Sequence, residues 1–350
     1  MWSDLFVLGL AIVFAVILRW AFRTLPKEEW QIMAAVPSAK RDSETWTGIN
    51  YTYYGLLVAL SCTCSTGLAL LLMGSVGIPG PLGLLVVAAV LCVCMPAARI
   101  MARIVEKRLH TLTIAGPSFA GVVVAPGIVW AADLTFSSLT NTGIPMFPVL
   151  AAFSIAYAMG EGFGRLACIS FGCCYGKPLA ACHPILQRAF DRYGFVFSGK
   201  TKKIAYESGL EGEPVIPIQA VTSTLFVAVA ILGMLLYFRG WYAEALIVTI
   251  TITQAWRIVS ETLRSDYRGG GAWSAYQGLA AVAILCVCIM YLLLPSSFSP
   301  PADLAGGLAT LWDPVVLLSL QALFAVTFLW TGRSTVTAST MEFQIVEKNI

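Results

Sequence analysis

Five ionisable side chains interrupt sequence that is otherwise apolar. Between Gly143 and Gly176 the only charges are Glu161 and Arg165. They are spaced i, i+4, so a helix carries them on one face. In the stretch Gln254–Asp266, Arg257, Glu261 and Arg264 share a face through steps of four and three, after an uncharged run from Ala245 to Trp256. An ionised group inside a membrane helix costs about 2.5–3.5 kcal/mol, so it is paired or functional. Guanidinium stays charged at physiological pH and grips phosphate as a two-pronged fork. Two arginines converging on one cavity would make an anion site, and the obvious anion in a membrane is a phospholipid headgroup. The plainer alternatives are a self-neutralising Glu161–Arg165 pair and, for Arg257 and Arg264, side chains that snorkel to the interface.

The cysteines sort into two kinds. Cys62, Cys64, Cys92, Cys94, Cys286 and Cys288 lie in apolar sequence, where cysteine packs as a small hydrophobe. Cys168, Cys173, Cys174 and Cys182 cluster in a loop-like stretch beside Arg165. With His183 they supply enough ligands for zinc. Their spacing is irregular and holds no paired C-x-x-C, so the expectation is no metal, and a disulfide within the loop if it faces an oxidising compartment. His183, next to that loop, is the better of two candidate histidine bases. The other is His110.

These residues need helices to hold them. Hydrophobic residues make up 58% of the 350 and charged residues 12%, where a soluble domain carries about 25% charge. Mean hydropathy is +0.79. The apolar residues form blocks of spanning length near 3–20, 51–73, 82–98, 114–132, 146–163, 217–238, 243–260, 274–294 and 314–331. In lipid such blocks must satisfy their own backbone hydrogen bonds, so they are expected to be helices. The first block starts without a basic region and ends without a small-residue cleavage site, as a retained anchor would. Gly160, Gly162 and Gly164 allow either close backbone approach or an irregular turn. No repeat, low-complexity tract or nucleic-acid signature is present, and no cofactor is implied.

At the level of motifs the chain resembles the prolipoprotein diacylglyceryl transferase family. Gly164-Arg165-Leu166-Ala167-Cys168-Ile169-Ser170-Phe171-Gly172-Cys173-Cys174-Tyr175-Gly176 is similar to the family's glycine–arginine signature, in a divergent branch that ends Gly-Cys-Cys-Tyr-Gly. Pro217-Ile218-Gln219 resembles its Pro-Ser-Gln helix entry. Arg257 to Asp266 resembles its Arg-x-x-x-Glu-x-x-Arg helix end, and Ser274-Ala275-Tyr276-Gln277 its Ser-x-x-Gln. Ala98-Arg99 and Gly116–Gly121 fall where an alanine–arginine pair and a glycine-rich helix start belong. Three departures stand out: the family's histidine–glycine–glycine reads Ala115-Gly116-Pro117, Cys168 and Cys173 replace an asparagine and a glutamate, and the glutamate after Pro-Ser-Gln is missing.

The resemblance implies an all-α integral membrane protein: a seven-helix core over 51–295, with the signature on loop 165–216, and extensions 1–50 and 296–350 that each add a helix. It implies transfer of a diacylglyceryl group from phosphatidylglycerol, or another anionic phospholipid, to a cysteine thiol of a lipoprotein precursor in a bacterial plasma membrane. Arg165, Arg257 and Glu261, with His183, are then the catalytic candidates, Glu261 orienting Arg257. Arg99, Gly116, Gly164, Gln219, Arg264 and Gln277 are the substrate-binding candidates. A related lipid-modifying enzyme with another acceptor is the alternative, and a thiol or metal redox protein a further one. The family's placement of its loops puts 22–50, 99–112 and 165–216 on the outer side, against the positive-inside tendency.

Overall fold

The computed structural model describes residues 2–105, 115–140, 143–266, 273–294 and 300–350. In chain order the elements are α1 (Trp2–Thr24), β1 (Ile32–Lys40), β2 (Thr45–Thr52), α2 (Tyr53–Ser75), α3 (Gly80–Val105), α4 (Ala115–Thr140), α5 (Met146–Phe171), α6 (Pro184–Phe190), β3 (Phe195–Val196), α7 (Lys203–Ser208), β4 (Pro214–Val215), α8 (Ile218–Phe238), α9 (Tyr242–Leu263), α10 (Ala275–Leu293), α11 (Leu304–Leu311), α12 (Pro314–Thr331) and β5 (Arg333–Glu342). Each of the nine apolar blocks is a helix. Among the described residues eight helices are long and apolar enough to cross a membrane. The remaining block, 243–260 on α9, has spanning length, but its helix carries Glu244, Arg257 and Glu261. The protein is an all-α multi-pass membrane protein. His110 lies outside the described residues.

Helix α5 is the central post, packed against α2, α8 and α9. Its three glycines sit inside a continuous helix, so they serve close approach and not an irregular turn. A Cβ on Gly160 would come within 2.8 Å of Ser65 Cβ, and one on Gly162 within 3.0 Å of the Val227 backbone nitrogen. At these crossings Ser61 Oγ donates to the Gly160 carbonyl (2.5 Å) and Ser223 Oγ to that of Gly162 (2.6 Å). Small residues with hydroxyl bridges are how helices bind one another without a hydrophobic driving force.

Outside the apolar blocks the chain also forms a sheet. β1, β2 and β5 form an antiparallel sheet in the order β1-β2-β5. Chain from before α2 thus pairs with chain after α12. Asn50 donates to Thr337 Oγ1 (3.2 Å), and Thr52 Oγ1 donates to the Gly332 carbonyl (3.1 Å) while capping α2 at Gly55 N.

The segment between α1 and β1 is fastened to the loop that follows α5. Gln31 Nε2 donates to the Thr201 carbonyl and Thr201 Oγ1 donates back to Gln31 Oε1, both at 2.8 Å. Ser198 N donates to the Pro26 carbonyl and Ser170 Oγ to the Trp30 carbonyl. Lys202 is wholly buried. Its Nζ donates to the carbonyls of Leu25 (3.1 Å) and Ser170 (2.6 Å). Burial pushes this amine down from 10.5 to about 8, with Glu28 opposing.

Candidate active site

A cavity of about 670 Å³ opens between α2, α3, α4, α5, α9 and α10. That is within the range of small-molecule sites, roughly 300–1,000 Å³. Its lining changes character along the helices. The N-terminal halves of α5 and α9 contribute Leu150, Phe153, Leu246 and Ile250, their C-terminal halves contribute Glu161, Arg165 and Arg257, and Arg264 follows at the end of α9. At 1.5 Å per residue, Leu150 and Arg165 are about 22 Å apart along α5. The cavity is apolar at one end and charged at the other, a shape suited to an amphiphile.

Glu161 is the hub of the charged end. It is 5% exposed, and it accepts from Arg165 Nη2 through Oε1 and from Arg257 Nη2 through Oε2 at 2.6 Å. Arg257 Nε also donates to the Tyr157 hydroxyl at 3.0 Å, and Gln254 Nε2 reaches the same oxygen at 3.1 Å. Arg165 Nε is buried and has no hydrogen-bond partner. Two guanidinium groups therefore share one carboxylate, which leaves this group of three with a net charge of +1 and one donor unused.

Glu261 does not orient Arg257, as the sequence reading expected. Its ion-pair partner is Arg264, at 3.8 Å, because Arg257 turns across the helix interface to Glu161 and Tyr157. Arg264 lines the cavity but is engaged: Nε and Nη2 bond the two oxygens of Asp266 at 2.8 and 2.6 Å. Its backbone pairs with Gly176, so it anchors the signature loop to the end of α9. Gly164 lines the cavity.

The remaining candidates hold protein. Gln219 is fully buried and donates to the Cys173 carbonyl at 2.8 Å. Gln277 closes a capping box with Ser274 and donates to the Ile258 carbonyl at 3.0 Å. A Cβ on Gly116 would meet Met101 at 2.7 Å, so this glycine lets α4 close on α3. Arg99 is exposed, its Cζ 5.2 Å from the ring centre of Trp330. His183 is exposed and caps α6, where its Nδ1 accepts from Ile185 N. None of these five lines the cavity.

Two residues at the hub were not picked as site residues from sequence. Glu161 announced itself by its spacing to Arg165, but its second partner comes from 96 residues away. Tyr157 gave no signal beyond lying one turn before Glu161.

The loop cysteines also differ from expectation. All ten cysteines are free thiols. Cys182 stands apart, its Sγ against the Pro178 carbonyl at 3.3 Å. The sulfurs of Cys168, Cys173 and Cys174 lie within 4.8 Å of one another, and all three residues line the cavity. The helix end brings them together. Gly172 adopts a left-handed cap (φ 73°), and the Cys173 amide folds back to the Cys168 carbonyl at 3.0 Å. Gly176 then passes so close to Ile216 that a Cβ would lie 2.4 Å from its carbonyl oxygen. Hydrogen bonds from Cys168 and Cys173, with help from Arg264 and Arg165, hold the Cys174 thiol well below its ordinary range against the effect of burial.

A family model described as prolipoprotein diacylglyceryl transferase matches residues 45–293. The chain belongs to that family. No curated protein matches it significantly. The family is one of transferases in lipoprotein biosynthesis that deliver diacylglyceryl groups to prolipoproteins. The matched span takes in the lining helices from α2 to α10 and the signature loop, and leaves out α12, which contributes Thr331 to the lining.

Proposed function

We propose that the protein transfers a diacylglyceryl group from phosphatidylglycerol, or a closely related anionic phospholipid, to the cysteine thiol of a lipoprotein precursor at a bacterial plasma membrane. The observation that carries this reading is the sharing of Glu161 by Arg165 and Arg257, which leaves a positive charge and an unused Nε donor at the polar end of an amphipathic cavity. A phosphodiester supplies the missing negative charge, and its acyl chains fit the apolar end.

In this mechanism the acceptor thiolate forms a bond to the terminal glyceryl carbon. The bond from that carbon to the phosphate oxygen breaks, and glycerol phosphate leaves with the electron pair. Arg165 and Arg257 hold the phosphate and stabilise the charge growing on its leaving oxygen. Charge fixed in advance in a dry site is commonly the largest catalytic contribution. Glu161 keeps both guanidinium groups in place, and Arg264 with Asp266 keeps the loop closed over them. The test is lipid mass spectrometry on the purified protein incubated with phosphatidylglycerol and a peptide carrying the precursor cysteine. A cysteine-linked diacylglyceryl product is expected. Its absence with every anionic phospholipid tried, in folded protein, rejects the reading.

Ala115, where the family carries histidine, favours a second reading in which the acceptor is not a lipoprotein precursor. A transferred diacylglyceryl group on another thiol or hydroxyl compound in the same assay would establish it.

A further inference from the structure

The mechanism needs a deprotonated thiol, and among the described residues the cavity offers no histidine and no carboxylate free of an arginine. Glu161 is held by two arginines, and Glu261 and Asp266 both face Arg264. His183 lies elsewhere. What the cavity holds instead is a cluster of sulfur. We propose that Cys168, Cys173 and Cys174 bind one zinc ion, whose fourth coordination position opens to the cavity and takes the acceptor cysteine as a thiolate. The zinc site stands on the geometry. The identity of the fourth ligand rests on the transferase reading above.

The dimensions fit. Zinc takes thiolate sulfur at about 2.3 Å in a tetrahedron, which sets the sulfurs roughly 3.8 Å apart. Here the three already lie within 4.8 Å, so ligation requires each to move by well under a bond length. The backbone that carries them is fixed. Cys168 belongs to the last turn of α5, and Gln219 holds the Cys173 carbonyl at 2.8 Å. Cys174 is the one non-glycine among the described residues with positive φ, at 58°. That conformation costs about 1–2 kcal/mol outside glycine and places the third thiol beside the other two. Three protein ligands with one open position is the pattern of a catalytic zinc site, where a structural site has four.

The charges fit as well. Three thiolates and Zn²⁺ sum to one negative charge, and Arg165, which shares the single carboxylate of Glu161 with Arg257, lines the same cavity. A thiol that coordinates zinc loses its proton outright. That sulfur then forms the bond to the glyceryl carbon as the carbon–oxygen bond breaks. The proton released on coordination ends on the phosphate of the departing glycerol phosphate, so the reaction needs no oxidant, reductant or side-chain base.

The experiment uses the full-length protein in detergent, purified under reducing conditions and loaded with Zn²⁺ or Co²⁺. About one metal ion per chain is expected, with the near-ultraviolet thiolate-to-cobalt absorption of a sulfur-rich tetrahedral site. Zinc should protect three thiols from alkylation. Cys182→Ser should leave metal content unchanged and Cys173→Ser should abolish it. If Cys173→Ser does not fold, the wild-type cobalt spectrum and thiol protection decide alone. A cysteine peptide should strengthen the cobalt absorption, and its serine counterpart should not. Folded wild-type protein that retains no metal overturns the site, and a cobalt spectrum unmoved by the cysteine peptide overturns the fourth ligand. Metal-free protein that transfers diacylglyceryl at full rate also overturns the inference while leaving the transferase reading intact. A cobalt spectrum that responds to the peptide in protein that transfers nothing supports the thiol-binding site and rejects that reading instead.

Discussion

Arg257 reaches from α9 to Glu161 on α5, Nη2 to Oε2 at 2.6 Å, and takes one oxygen of a carboxylate whose other oxygen serves Arg165. This junction joins two helices and holds two guanidinium groups at the charged end of the cavity. Its members have separable roles, which substitution should expose.

Arg257→Lys keeps the charge and loses the fork. The variant should fold and lose about 10²–10³ in rate, as expected for one charge-assisted contact made in the transition state, about 2.7–4 kcal/mol. Steady-state transfer with varied phospholipid measures it. A loss confined to KM would mean the contact is made equally in the ground state.

Glu161→Gln leaves two buried arginines without a carboxylate. Removing one partner of a buried ion pair costs about 3–5 kcal/mol, so the thermal midpoint in detergent should fall well below wild type. Added phosphatidylglycerol should raise the variant's midpoint more than the wild type's, because the lipid phosphate takes the carboxylate's place. Equal shifts would count against phosphate binding here.

Arg264→Lys breaks the two-pronged contact with Asp266. Its effect should fall on stability more than on turnover per folded molecule. Comparing the unfolding midpoint with the specific activity of the folded fraction separates the two.

Lys202 gives a pH dependence with a defined sign. Its folded pKa, about 8, lies below the ordinary 10.5. Between those values the unfolded chain holds the proton more tightly, so stability rises with pH across that window. Below about pH 8 both states are protonated and the penalty is full and constant. The window spans roughly 3 kcal/mol at most. Lys202→Met should lose this rise, so its stability relative to wild type should change between pH 7 and pH 10. Parallel curves would refute it.

Deleting residues 1–45 removes Leu25 and Gln31, the partners of Lys202 and Thr201, along with the helix that buries Val7, Phe14 and Leu18. Sequence alone cast this segment as an extension outside the seven-helix core. Its contacts predict a large loss of thermal stability, with Lys202 left buried beside fewer acceptors. Fluorescence-detected size exclusion of heated samples measures it.

The helices were legible because spanning length in lipid admits few alternatives, and α9 was legible even with its three charges. The sheet was not. The β-branched run Thr335-Val336-Thr337 within Arg333–Glu342 does favour a strand, but its partner strand lies almost the whole chain away. The same limit applied at the site. Arg165 and Glu161 share a turn and could be paired on spacing. The bond from Arg257 to Glu161, and with it the pairing of Glu261 with Arg264 instead of Arg257, depends on how α9 rolls against α5. The cysteine cluster was hidden by counting along the chain. Cys168 and Cys173 look irregularly spaced until a left-handed Gly172 folds one back over the other.

The β2–β5 pairing fixes the parity of the chain. Strand β2 enters α2 and strand β5 leaves α12, yet the two are hydrogen-bonded neighbours. The chain between them must therefore cross the bilayer an even number of times, as α2, α3, α4, α5, α8, α9, α10 and α12 do. Counting crossings puts the loop after α5, the C-terminal ends of α5 and α9, and the sheet on one face. Trp2, one crossing earlier, lies on the other. On the proposed reaction the acceptor cysteine then meets the lipid phosphate near the face that carries residue 350, and epitopes at residues 2 and 350 should be accessible from opposite sides of a sealed vesicle.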